Sequence, residues 1–131
     1  MSKHILIVDD EPNIVLSLEF LMRQAGYRVS TAGDGEQALA AVASEPPDLI
    51  LLDVNMPRKN GYEVCEALKG DPASAAIKVV MLTAKGRDIE REKGLALGAD
   101  DYLTKPFATQ EIVTVVSAAL DESTGDASDA E

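Results

Sequence analysis

A single cysteine, Cys65, stands in 131 residues, which excludes an internal disulfide framework and fits a reducing compartment. With one histidine, His4, and no clustered thiols, the chain has no ligand set for zinc. No apolar run approaches the roughly 20 residues that a membrane helix requires. The amino-terminal run is brief and leads straight into Asp9-Asp10-Glu11, unlike a signal peptide, so a cytoplasmic protein with no membrane partner is expected. Positive charge is scarce too: 12 Lys and Arg against 23 Asp and Glu give a net charge of −11. A chain of that sign has no electrostatic footprint for direct nucleic-acid binding. Internal repeats are absent.

What is present suffices for one domain. With 46% hydrophobic residues, the chain can bury a core without disulfides or structural metal. Its acidity is uneven, because Asp121 to Glu131 hold five acids and no base, leaving −6 for residues 1–120. That tail is poor in apolar residues, so residues 1–120 are expected to form the domain and 121–131 an acidic, disordered tail. Cys65 is expected to pack on a helix as a small hydrophobe. His4 opens an apolar run and is expected to serve the core or a sheet edge.

Apolar runs alternate with helical patterns five times. His4 to Val8 reads as a strand; Glu11-Pro12 then starts a helix through Ile14, Leu18, Leu21, Met22 and Ala25, which Gly26 stops. Arg28 to Ala32 is a second strand, and Gly33-Asp34-Gly35 turns into a helix closed by Pro46-Pro47. Leu49 to Asp53 is the third strand, followed by a loop from Val54 to Gly61 and a helix from about Tyr62 to Lys69. Lys78 to Leu82 is the fourth strand, ending in Thr83-Ala84, with a polar helix from about Arg87 to Leu97 that Gly98 terminates. Tyr102 to Thr104 is the last strand, and Ile112, Val115, Val116, Ala119 and Leu120 mark the closing amphipathic helix. This (βα)5 alternation predicts an α/β fold, a doubly wound parallel sheet with helices on both faces.

Four apolar-run ends carry carboxylates or partners for them. Asp9 and Asp10 follow the first strand and Asp53 ends the third, which places acids at the carboxyl edge of a parallel sheet, where such folds bind ligands. Two anions 4 Å apart repel by about 4 kcal/mol at an effective dielectric near 20, so three converging carboxylates imply a cation. Thr83 and Lys105 stand at the ends of the fourth and fifth strands. Taken singly, each has a plainer reading: Asp10 could cap the next helix, Thr83 could belong to a turn, Lys105 could be a solvated charge, and Tyr102 a half-buried strand aromatic.

Taken together, Val8-Asp9-Asp10-Glu11, Leu52-Asp53 with Met56-Pro57 and Gly61, Leu82-Thr83-Ala84, Gly98-Ala99-Asp100-Asp101-Tyr102 and Lys105-Pro106-Phe107 make residues 3 to 120 resemble a response-regulator receiver domain, the CheY-like module of two-component signalling. The resemblance implies a flavodoxin/CheY-like five-stranded sheet of order 2-1-3-4-5. It implies Asp53 as phosphoacceptor, with Thr83 and Lys105 as catalytic partners. It further implies Mg²⁺ held by Asp10, Asp53 and the Asn55 backbone carbonyl, with Asp9 acting through water, an oxygen set that suits this ion. Thr83 and Tyr102 would be switch residues altering the surface of the fourth helix, last strand and last helix. The bond before Pro106 would be cis, and Asn55 and Lys85 would tune the lifetime of the acyl phosphate. The implied partners are a sensor histidine kinase or histidine phosphotransfer protein and a downstream protein target, with a phosphorylation-dependent homodimer as a further option. Such a protein is no enzyme beyond catalysing its own aspartyl phosphorylation and dephosphorylation.

Three alternatives compete. A Mg²⁺-dependent phosphohydrolase with an aspartate nucleophile, resembling the haloacid dehalogenase group, would carry Asp-x-Asp and a cap, whereas the first strand here gives Asp-Asp-Glu and no insertion is long enough for a cap. A flavodoxin-like binding module would need phosphate-cradling glycines where Asp9-Asp10-Glu11-Pro12 stands. The chain could also be the receiver of a larger DNA-binding regulator, although no helix-turn-helix or basic segment follows Leu120. A stand-alone regulator signalling by protein contact is the expectation.

Overall fold

Leu, Ile and Val dominate the inner strands, and stretches that uniform are stable only when covered on both sides. In the computed structural model, which describes residues 3–54, 56, 59–84 and 88–120, they form one parallel sheet between two helical layers. The elements are β1 (His4–Val8), α1 (Pro12–Gln24), β2 (Arg28–Ala32), α2 (Gly35–Ser44), β3 (Leu49–Asp53), α3 (Gly61–Lys69), β4 (Lys78–Ala84), α4 (Asp88–Ala96), β5 (Asp101–Lys105) and α5 (Thr109–Ala119). The sheet order is β2-β1-β3-β4-β5, as the resemblance implied.

Helix boundaries follow local chemistry. Pro12 opens α1 at a position that needs no amide donor, and Gly26 leaves the helix with φ +99°, a left-handed conformation that favours glycine. The Asp34 carboxylate caps α2 by accepting the Gln37 amide at 2.8 Å. At α3 the Asn60 side chain accepts the Glu63 amide at 2.9 Å and the Glu63 carboxylate accepts the Asn60 amide at 2.9 Å. This reciprocal cap starts the helix at Gly61, one residue before the expected position.

Residues alternate between two cores with the strand period of two. Leu6, Val8, Ile50, Leu52, Val79 and Met81 face α2 and α3, where Ala38, Val42, Val64, Cys65 and Leu68 meet them. Ile5, Ile7, Leu49, Leu51, Val80, Leu82 and Leu103 face α1 and α5, against Leu18, Met22, Ile112 and Val116. Cys65 is fully buried, its Sγ 3.8 Å from the Leu97 carbonyl oxygen. His4 is buried at the sheet's amino edge, its Nε2 2.7 Å from Ser30 Oγ.

β4 ends in Thr83-Ala84 as expected, but β5 is longer than expected and runs from Asp101 to Lys105, because Val80 pairs with Asp101 and Ala84 with Lys105 across the ladder. Polar side chains there signal a loop, yet their backbones still complete the sheet. Asn55, Pro57, Lys85, Arg87 and the tail 121–131 lie outside the described residues.

Candidate functional site

β1 and β3 are neighbours, and the crossover leaving β1 runs to β2 on one side while the one leaving β3 runs to β4 on the other, which opens a crevice at their carboxyl ends. Val8 is level with Leu52 in the ladder; the residues that follow them, Asp9 and Asp53, therefore stand side by side at its mouth. One carboxylate oxygen from each of Asp9, Asp10 and Asp53 lies within 4.8 Å of the others. Asp9 and Asp53 are buried, 1% and 5% exposed, while Asp10 faces solvent.

Asp9 Oδ1 is fixed by the Glu11 amide, which donates to it at 2.9 Å. Asp10, the expected capping candidate, is not the residue that accepts this amide, and the position that caps α1 is occupied by Glu11 without a side-chain cap. Asp9 Oδ2 is fully buried and accepts no hydrogen bond among the described residues. It lies 2.9 Å from Lys105 Nζ as an ion pair outside hydrogen-bond angles.

Lys105 is no solvated charge. Its ammonium donates to Asp53 Oδ1 at 3.3 Å and lies 3.7 Å from Glu11 Oε1, with the side chain 21% exposed. Burial opposes its charge, but the carboxylates of Asp9 and Asp53 outweigh that and hold its pKa above the ordinary lysine range. The Lys105-Pro106 bond is cis. Glu11 is the member of this cluster not foreseen, and the run of three consecutive acids was the signal that could have identified it.

Thr83 is buried one residue past the level of Asp53, since Asp53 pairs with Leu82. Its hydroxyl donates to the Leu103 carbonyl at 3.4 Å, a long hydrogen bond that ties the end of β4 to β5. Tyr102 is level with Met81, half-buried against the α2–α3 core. The crevice thus gathers Asp9, Asp10, Asp53 and Lys105, with Thr83 on the adjoining strand; Tyr102 lies farther down β5.

The acids fit a small hard cation. Mg²⁺ takes hard oxygen ligands, and one carboxylate oxygen from each of the three acids lies within 4.8 Å of the others. Asp9 Oδ2, fully buried and without a hydrogen bond among the described residues although ion-paired with Lys105, is a further hard oxygen beside this group. One ammonium against three carboxylates also leaves the site net negative.

Comparison with known proteins accords with this geometry. The family model for the response regulator receiver domain matches residues 5–117. The alkaline phosphatase synthesis transcriptional regulatory protein PhoP of Bacillus subtilis is 45% identical over 120 residues, which are 92% of this chain and 49% of that protein. The chain therefore spans about half the length of that curated relative. A Chloroflexus aurantiacus J-10-fl chain assigned as a response regulator superposes with a TM-score of 0.90 at 37% identity, covering 93% of this chain and 100% of that one. The receiver domain of a sensor histidine kinase from Pseudomonas aeruginosa PAO1, with magnesium coordinated in its active-site cleft, superposes with a TM-score of 0.85 at 30% identity, covering 93% and 100%.

Proposed function

Because this chain belongs to the response regulator receiver domain family of two-component systems, we propose that Asp53 accepts a phosphoryl group from a phosphohistidine on a sensor kinase or histidine phosphotransfer protein. Receiver domains are signalling modules rather than conventional enzymes, and they interact with histidine kinases. The observation that carries the assignment is Asp53 itself. It is buried in the crevice beside two further carboxylates and an ammonium.

In the transfer, an Asp53 carboxylate oxygen bonds to phosphorus as the phosphorus–nitrogen bond breaks, and the electron pair returns to the departing imidazole. Charge spreads onto the equatorial oxygens, so the site needs cations and donors more than acid–base groups. Lys105, already 3.3 Å from Asp53, supplies one positive charge. Asp10, Asp53, the Asn55 carbonyl and, through water, Asp9 would hold Mg²⁺, which supplies the remaining charge neutralisation when bound. An exposed apolar pair on α1, Leu16 at 64% and Phe20 at 63%, gives a protein donor a surface beside the crevice.

The signal would follow from Thr83. A phosphoryl oxygen is a stronger acceptor than the Leu103 carbonyl, because charged hydrogen bonds are roughly twice as strong as neutral ones. Turning toward it frees β5 at Leu103, next to Tyr102, and biases the α4–β5–α5 surface toward a second arrangement that a downstream protein can read. The test is Asp53→Asn with acetyl phosphate and MgCl₂. Phosphoprotein gels should show labelling abolished while circular dichroism shows the fold retained; undiminished labelling refutes the role of Asp53.

A second reading is favoured by the relation to PhoP, whose length is about twice the matched segment. On that reading the chain is the receiver part of a longer transcriptional regulator. The reading frame beyond the codon for Glu131 distinguishes the two, since a following DNA-binding domain would displace the stand-alone proposal.

A further inference from the structure

We propose that Gly35, at the start of α2, is a positioning residue for the metal site: it is the seat on which the returning arm of the β3–α3 loop rests. This depends on the magnesium reading above, in which that loop supplies the Asn55 carbonyl. A Cβ on Gly35 would overlap the Lys59 carbonyl oxygen, and would stand 2.5 Å from Lys59 Cβ and 2.8 Å from the Lys59 carbonyl carbon. The contact is thus between two backbones, and only a residue without a Cβ allows so close an approach.

The two sides of the contact are unequally held. On the α2 side, the buried Asp34 carboxylate accepts the Gln37 amide at 2.8 Å, and the Gln37 side-chain oxygen accepts the Gly33 amide at 2.9 Å. Those bonds tie down the helix start. On the other side, the Gly61 amide donates to the Val54 carbonyl at 2.9 Å and the Val54 amide to the Leu82 carbonyl at 3.2 Å, so the loop is closed at its base. Lys59 lies on its far arm, just before the Asn60–Glu63 cap of α3. A main-chain ligand is useful to a hard cation only when its direction is fixed beforehand, and the Gly35 seat adds that support. Filling the seat moves the loop, the less firmly held partner. Because the displaced group is a ligand and not the acceptor, the defect falls on metal affinity and spares the chemistry of Asp53.

The experiment is titration of the full chain with MgCl₂, followed by amide NMR shifts at Asp9, Asp10 and Asp53, for wild type, Gly35→Ala and Val42→Ala. Val42 lies about two turns further along the same helix, buried in the core, so its truncation loosens the fold away from the seat. Gly35→Ala should bind Mg²⁺ about tenfold more weakly than wild type, the lower end of what disturbing a supporting group costs a metal site. Val42→Ala should keep the wild-type affinity. Labelling of Gly35→Ala by acetyl phosphate should be slow at the MgCl₂ concentration that half-saturates wild type, and should return to the wild-type rate at saturating MgCl₂. In wild type, the Gly35 and Lys59 amide resonances should move with the same midpoint as those of the acids, a measurement that does not depend on any variant folding. Unchanged affinity in a folded Gly35→Ala, an equal loss in Val42→Ala, or labelling that stays slow at saturating MgCl₂ overturns the proposal. So do Gly35 and Lys59 resonances that stay still while those of the acids move. A wild-type chain showing no Mg²⁺-dependent shifts at the three acids overturns it at an earlier step, by removing the magnesium reading itself.

Discussion

Gly61→Ala should damage both stability and phosphoryl acceptance, for a reason visible in the backbone. A Cβ on Gly61 would overlap the Asp53 carbonyl oxygen, and would stand 2.9 Å from Val54 Cα and 3.0 Å from the Asp53 carbonyl carbon. All three obstacles are main chain of β3 and the turn after it, so no flexible side chain can yield; separating the atoms moves the Asp53 backbone or the start of α3 by about an ångström. Overpacking of this kind costs about 1–3 kcal/mol, against which alanine's helix preference returns at most about 1 kcal/mol. The expected net loss of about 1–2 kcal/mol leaves the protein folded within an ordinary stability of about 5–15 kcal/mol. Misplacing a reacting group by about 1 Å can cost about 100-fold in rate, so labelling by acetyl phosphate with MgCl₂ should slow 10- to 100-fold. Urea denaturation and phosphoprotein-gel kinetics measure the two effects. Gly33→Ala is the control, since its Cβ would meet only Gln37 Oε1, at 3.5 Å. If Gly61→Ala matches wild type in both assays, the close approach of α3 to β3 does not position Asp53.

Two further predictions concern the fold that holds the site. The Lys69 ammonium donates to the Ala75 and Ile77 carbonyls at 3.2 and 2.9 Å and to Asp100 Oδ2 at 3.2 Å, and that carboxylate also accepts the Val79 amide at 2.8 Å. Lys69→Met should therefore cost about 2–3 kcal/mol in urea denaturation, and a loss below about 0.5 kcal/mol would show the network to be idle. Burial pushes the Cys65 thiol up to about 11, with Lys69 opposing and Asp100 and Glu66 assisting. Since the folded pKa exceeds the unfolded one, this group's contribution is fully present below the ordinary thiol pKa and is lost as pH rises through about 11. At pH 8 the native thiol should resist Ellman's reagent while the protein unfolded in guanidinium reacts fully; rapid native reaction would contradict its burial.

Much of the architecture was legible because each layer has its own signal. Periodicity separated helices from strands, and uninterrupted runs such as Leu49 to Leu52 announced a sheet covered on both faces. Spacing did not supply the strand order, which came from the family resemblance. The ends of β5 were placed one residue short because Asp101 and Lys105 are polar, while strand pairing is decided by backbone partners on the neighbouring strand. At the site, the residue types were legible but their inequality was not. Asp9 and Asp10 are adjacent and identical, yet one is buried against Lys105 and the other faces solvent. Sequence likewise could not show that Glu11 approaches Lys105, that Asp100 anchors Lys69, or that Gly61 touches the main chain of Asp53, since each depends on segments distant in the chain or on exact approach distances.

The central claim is that one carboxylate among several acids receives phosphorus, and trapping the acyl phosphate tests it directly. Wild-type protein treated with acetyl phosphate and MgCl₂, then reduced with borohydride, should yield homoserine in place of aspartate at position 53 alone. Homoserine at position 9 or 10 with none at 53, or no reduced residue despite measured phosphorylation, would contradict the account.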